Sequence, residues 1–200
     1  MKTFATESRA AEIALRQWSW TGEWHVEASA IPEEKPWLWI GENHRMNFDL
    51  WHEEDVARRD DLSADRIRAA KRAIDRFNQA RNDAVERLDL WLLQDLPAVE
   101  ANIPLHSETP GMIVDRLSIL ALKLYHMEIE ASRATAPAEH REKCLAKSRM
   151  LAEQRADLTA CLHQLLLDLQ AGRRQFRLYR QFKMYNDPTL NPQLYEACPE

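Results

Sequence analysis

Six residues between positions 44 and 58 combine groups that can do chemistry with groups that belong inside a protein. At 3.6 residues per turn, His44, Asn47, Phe48, Trp51, Asp55 and Arg58 fall on one stripe of a predicted helix. The two aromatic rings turn that stripe inward. A base, an amide, an acid and a guanidinium on the same stripe are costly to bury unless they are paired or used. The pattern therefore predicts a polar centre inside a helical protein.

Other residues extend the constellation. Arg81 interrupts an apolar seam between Asn78 and Asn82, and Arg155 interrupts a second, leucine-rich seam in the same way. Asp115 and His126 share a face of a further helix, three turns apart. Two roles stay open for the arginines. Each can pair with Asp55 or Asp115 in an ion network that fixes helix register. Alternatively, they hold a phosphate or carboxylate bidentately. Arg58, Lys123, Arg180 and Lys183 could then join the pocket, with Asn47, Asn82 and Asn186 orienting sugar hydroxyls or a diphosphate.

A metal centre from Asp55, Asp115, His44 and His126 requires their helices to pack side by side. Neither a His-Glu-x-x-His nor a Glu-x-x-His pair of the di-iron type occurs. No resident cofactor is expected. Mg²⁺ enters only under a hydrolase reading, in which Asp55, Glu54 and Asp115 hold the ion around a diphosphate and Lys123 or Arg81 contacts phosphate. Glycine-rich nucleotide loops and nucleophile-elbow motifs are missing. His25, His106, His140 and His163 have no visible partners and read as surface or packing residues.

The elements that must position these groups are helical. A first helix is expected over about 6–20, ending in a stretch where Trp18, Trp20, Trp24, Trp37 and Trp39 crowd together around a loop with Pro32 and Pro36. Those indoles either pack the irregular segment onto the bundle or offer a stacking platform. The second helix runs from about 38 to 59. Ser63 caps a third over about 64–95, whose seam is Ile67, Ile74, Phe77, Ala84, Leu88 and Trp91. Thr109 and Pro110 start a fourth that continues to about 132; it is apolar on two sides and so belongs in the middle of the bundle. A fifth runs from about 137 to 171 and stops at Gly172. Arg81-Asn82-Asp83 and Arg155-Ala156-Asp157 lie in similar leucine-rich settings, hinting at two related helical hairpins.

Composition bounds the rest. Charged residues make up 30% of the 200 residues and there are only four glycines, a mix that favours long helices. A net charge of −5 argues against general nucleic-acid binding. The basic-aromatic run Arg173 to Lys183 reads instead as a solvated cover over the bundle, or as a local binding strip. No apolar run is long enough to span a membrane, and the first residues lack the apolar block of a signal peptide. Three unpatterned cysteines, Cys144, Cys161 and Cys198, suggest reduced thiols and a cytoplasmic setting.

Several long motifs carry a family likeness. They are Glu42-Asn43-His44-x-x-Asn47-Phe48-x-Leu50-Trp51-His52-Glu53-Glu54-Asp55, then Asn78-Gln79-x-Arg81-Asn82-Asp83, then Ser107-Glu108-Thr109-Pro110-Gly111-Met112-Ile113-Val114-Asp115-Arg116, and Tyr179 to Pro188. Over about residues 10–195 the chain resembles the bacterial family catalogued as domain of unknown function 4254. The resemblance implies a compact helical protein whose relatives are often associated with glycosyltransferases of surface-polysaccharide assembly. It implies no established activity.

These readings lead to an all-α, single-domain antiparallel bundle of about five helices. Residues 1–40 form an N-terminal helix and tryptophan-rich loop, 41–187 the core, and 188–200 an extended tail. The expected role is a glycan-assembly accessory that binds an anionic sugar or nucleotide-sugar-like molecule. The alternatives are a metal-dependent diphosphate hydrolase and a non-catalytic docking module for a glycosyltransferase. Self-association is left open.

Overall fold

The structure is a computed structural model that describes residues 9–27, 29–179 and 189–192. Five helices follow one another: α1 (Arg9–Val26), α2 (Trp37–Ala57), α3 (Ala64–Asp95), α4 (Pro110–Ser132) and α5 (Ala138–Gln170). No strand occurs among the described residues; a single parallel bridge joins Leu105 to Gln175. The chain is an all-α bundle.

Local chemistry sets most of the boundaries. The Ser63 hydroxyl accepts the Arg66 N–H at the start of α3, and the Thr109 hydroxyl accepts the Met112 N–H at the start of α4, where Pro110 needs no partner for a missing N–H. Beyond α5, Gly172 takes φ +68°, a left-handed conformation natural to glycine. There the Arg173 N–H returns to the Asp168 carbonyl, closing the helix end.

The helices form two antiparallel pairs, α2 on α3 and α4 on α5, with α1 laid against α4, α5 and α2. Helix α4 touches all four others and is buried on two sides through Ile113, Val114, Leu117, Ala121 and Leu122. The central position expected for it from sequence is the observed one.

Helix α1 departs from the expectation. It runs six residues past Trp20, to Val26, so Trp24 and His25 are helical. Ser19, Thr21 and Gly22 are weak helix formers, and packing overrides them. The buried Trp20 and Trp24 rings stack with centroids 5.9 Å apart, and Trp24 also meets the Phe48 ring edge-on. The indoles thus pack this region onto the bundle. Trp37 is buried as well, and Trp39 lies against Trp91 at 6.2 Å.

Gly111 shows how closely α3 and α4 approach. Its N–H donates to the buried Asp89 carboxylate at 2.7 Å. A Cβ at this position would lie 2.8 Å from both carboxylate oxygens. Gly111→Ala is expected to destabilise the fold by about 2 kcal/mol, by overpacking and by stretching that hydrogen bond. Urea unfolding at neutral pH checks this; a midpoint equal to the parent's would contradict so tight an approach.

Candidate functional site

The centre of the bundle is a hydrogen-bonded chain whose polarity can be read atom by atom. Thr21 on α1 gives its hydroxyl proton to the Gln17 carbonyl at 2.8 Å, so its oxygen is left to accept from His44 Nε2 at 3.0 Å. His44 Nδ1 is then the acceptor, 2.7 Å from Ser118 Oγ, which donates to it. Ser118 Oγ in turn accepts from Asn47 Nδ2 at 3.0 Å, and Asn47 Nδ2 also reaches Asp115 Oδ1 at 2.8 Å. Asn43 donates to the same Asp115 oxygen at 2.8 Å. Four helices meet in this network: α1, α2, α4 and, through Arg81, α3.

His44 is fully buried. Its pKa is lowered to about 3, first by that burial, with the Arg155 charge adding to the effect and a hydrogen bond to the Gln17 backbone opposing it. A neutral ring protonated at Nε2 fits the bonding pattern, with Nδ1 accepting from the Ser118 hydroxyl.

Arg81 marks where the network reaches solvent. Its Nε stands 3.5 Å from Asp115 Oδ1 and its Nη1 3.5 Å from Asn47 Oδ1. Nε is buried without a hydrogen bond of normal length. A guanidinium carries five N–H donors, so these two long contacts leave most of its capacity unspent. Arg81 lies on the floor of an open groove of about 330 Å³ between α2, α3 and α4, lined also by Trp51, Glu54, Asp55, Arg58 and Asn78. Arg58 is held by Glu54 at 2.6 Å.

The expected constellation is therefore divided. His44, Asn47 and Asp115 belong to the buried network; Trp51, Asp55, Arg58 and Arg81 line the groove above it. Arg155 is elsewhere. It donates to the Ala14 carbonyl, lies over the Trp18 ring at 5.8 Å, and faces a separate groove between α1 and α5. Among the described residues, the anticipated pairing of Arg155 with an acid is not observed. Its pKa is lowered by burial. The resemblance to Arg81 in sequence misleads because α3 pairs with α2, whereas α5 pairs with α4 and α1.

Lys123 is exposed beside a groove between α4 and α5, and Asn82 lines another with Asp89 and Thr109. Arg180, Lys183 and Asn186 lie outside the described residues. In the basic-aromatic run, Phe176 is buried, Arg173 pairs with Asp168 at 2.6 Å, and Arg177 and Tyr179 are exposed.

The proposed metal set does not assemble. His44 is enclosed by Thr21 and Ser118, Asp115 by two asparagines, and Asp55 sits in the outer groove. Nor do Asp55, Glu54 and Asp115 converge as three ligands among the described residues. His126 instead meets His25 and His52, one ring nitrogen from each lying within 4.8 Å of the others. His25 is not the partnerless residue its sequence setting suggests.

Gln17, Thr21, Asn43 and Ser118 complete the centre and were not legible as site residues. A signal existed for two of them. Ala10, Ile13, Ala14, Gln17, Thr21 and Trp24 repeat at helical spacing, so Gln17 and Thr21 are polar groups on a buried face. Gln17 lies within the expected helix, whereas reaching Thr21 requires extending α1 beyond Trp20.

A family model described as a protein of unknown function, DUF4254, matches residues 37–178. No curated protein and no solved structure gives a significant match.

Proposed function

The chain belongs to the DUF4254 family of proteins of unknown function, and on that premise we propose that it binds a small anionic sugar, of the sugar-phosphate or nucleotide-sugar class, in the groove above Asp115. The observation that carries this reading is the underused Arg81 guanidinium, held by two contacts of 3.5 Å at the floor of the groove. A phosphate or carboxylate offers it a bidentate partner of full strength. Around it stand groups suited to a sugar. Glu54, Asp55, Asn47 and Asn78 can exchange hydrogen bonds with hydroxyls, and Trp51 offers an apolar ring to C–H faces. The volume, about 330 Å³, suits a ligand of monosaccharide-phosphate size.

The role is that of an accessory in bacterial surface-glycan assembly, with a glycosyltransferase as its partner. The family resemblance supports this assignment. A diphosphate hydrolase is less well supported, because its three acids do not surround one point. A docking module built on the tryptophan loop is also less well supported, because Trp20, Trp24 and Trp37 are buried in the fold.

Calorimetric titration with hexose phosphates and nucleotide sugars tests the reading. Binding is expected for at least one of them, and Arg81→Met is expected to weaken it by roughly 10- to 100-fold, the value of one charge-assisted bidentate contact. Equal affinity in Arg81→Met, or no binding across the panel, would overturn it.

A further inference from the structure

Three helices deliver a histidine each to one point beside the groove. His25 is in the last turn of α1, His52 lies on α2 and His126 on α4. The ring centroids are 5.2 Å apart for His25 and His52, 5.1 Å for His25 and His126, and 6.0 Å for His52 and His126.

Backbone partners fix the tautomers of two rings. His25 Nδ1 lies 2.6 Å from the Thr21 carbonyl, and His52 Nδ1 lies 2.8 Å from the Phe48 carbonyl. A carbonyl only accepts, so each Nδ1 carries the proton and each Nε2 presents a lone pair. A carbonyl accepting from one ring nitrogen is what orients the other nitrogen in histidines that ligate metals. His25 Nε2 and His126 Nε2 are buried, and neither has a hydrogen-bond partner among the described residues. Buried imidazole nitrogens without partners are uncommon in folded proteins.

Aromatic neighbours hold the rings in place. Trp51 lies flat on His126 at 4.5 Å with an interplanar angle of 3°, and Tyr125 stacks on His25 at 4.5 Å. Phe48 meets His25 at 4.8 Å and His52 at 4.4 Å. These walls limit hydration of the nitrogens from most sides, while all three residues remain partly exposed on the other.

We propose that His25, His52 and His126 form a binding site for a divalent transition-metal ion of the zinc class, with a coordination position left for water. Nitrogen donors select Zn²⁺ and its neighbours over Mg²⁺ or Ca²⁺, which take oxygen. At bond lengths of about 2.0–2.1 Å, tetrahedral ligation needs the nitrogens roughly 3.3 Å apart. A modest closure from the 4.8 Å limit brings them there. Asp55 acts favourably on positive charge at His126, adding a nearby anion to the site. The ion would tie the end of α1 to α2 and α4. The site is independent of the sugar reading and shares with it only Trp51 and Asp55.

Titration of the full-length, chelator-treated protein with Co²⁺ and Zn²⁺ tests this. One Co²⁺ per chain is expected, with visible absorption bands of a four- or five-coordinate nitrogen site that Zn²⁺ abolishes. The ring ¹⁵N signals of three histidines should move on adding Zn²⁺, and those of the other four should stay. His126→Ala and His52→Gln should each weaken Zn²⁺ binding by roughly 100-fold or more, while His163→Ala should not. The parent titration decides the matter even if a variant fails to fold. The absence of saturable binding would overturn the proposal, as would ¹⁵N shifts on other histidines. Loss of sugar binding in Arg81→Met leaves this result untouched, so the two readings fail separately.

Discussion

His44→Ala is expected to lower the stability of the fold by about 4 kcal/mol, and His44→Leu by about 2 kcal/mol. Alanine leaves a cavity, a Ser118 hydroxyl without its acceptor and a Thr21 oxygen without its donor, all fully buried. Leucine fills most of the space and leaves only the polar loss. The difference between the two variants in urea unfolding at pH 7 separates packing from hydrogen bonding.

The parent and His44→Leu together report the buried ring's protonation. His44 titrates at about 3 in the fold against 6.5 in the unfolded chain. Below pH 6.5 the unfolded chain takes up a proton that the folded ring refuses. The contribution of His44 is therefore complete above pH 6.5 and lost progressively as pH falls toward 3, at about 1.4 kcal/mol per pH unit.

Asp89 runs the other way. Burial raises its pKa to about 6 from 3.8, so its contribution is complete below 3.8 and lost as pH rises through 6. Because Asp89 is present in both proteins, it cancels in their difference. The gap between the parent and His44→Leu should close by about pH 5. A gap that stays constant from pH 7 to pH 4 would show that His44 is not neutral in the fold.

Asp115→Ala is expected to cost about 3 kcal/mol, because one oxygen anchors Asn43, Asn47 and Arg81. Asp115→Asn keeps an acceptor oxygen and should cost about 1 kcal/mol, the loss of the charge alone. Its effect on the groove has the opposite sign. Removing the negative charge leaves Arg81 without its counter-ion, so affinity for an anionic sugar should rise while stability falls. Unfolding and calorimetry on the same protein measure both. A variant that loses stability and affinity together would place Asp115 as a support for the groove rather than a competitor of the ligand.

Much of the fold was legible because helix ends are written locally. Ser63, Thr109 with Pro110, and Gly172 each act within one turn, and four helices begin and end within two residues of expectation. The inward stripe of α2 was legible for a similar reason, since period alone places His44, Asn47 and Trp51 together.

What period cannot give is which helix faces which. Arg81 and Arg155 sit in matching seams, yet one meets Asp115 and the other a backbone carbonyl of α1. The three histidines come from separate helices, and no spacing joins them. Asn43 stands one turn before Asn47, about 40° beyond it at the border of the stripe and about 100° from His44, so period alone does not assign it to the inward face. The end of α1 was missed because its stability comes from Trp20 and Trp24 against α2, not from its own residues.

The first helix has a consequence for anyone trimming this gene. The family match starts at Trp37, downstream of Gln17, Thr21 and His25. A shortened product keeping every matched residue would still lose the wedge between the two hairpins. What remained would be a trough of imidazole and aliphatic surface along α2 and α4, adhesive toward any amphipathic rod, including one borrowed from a second molecule.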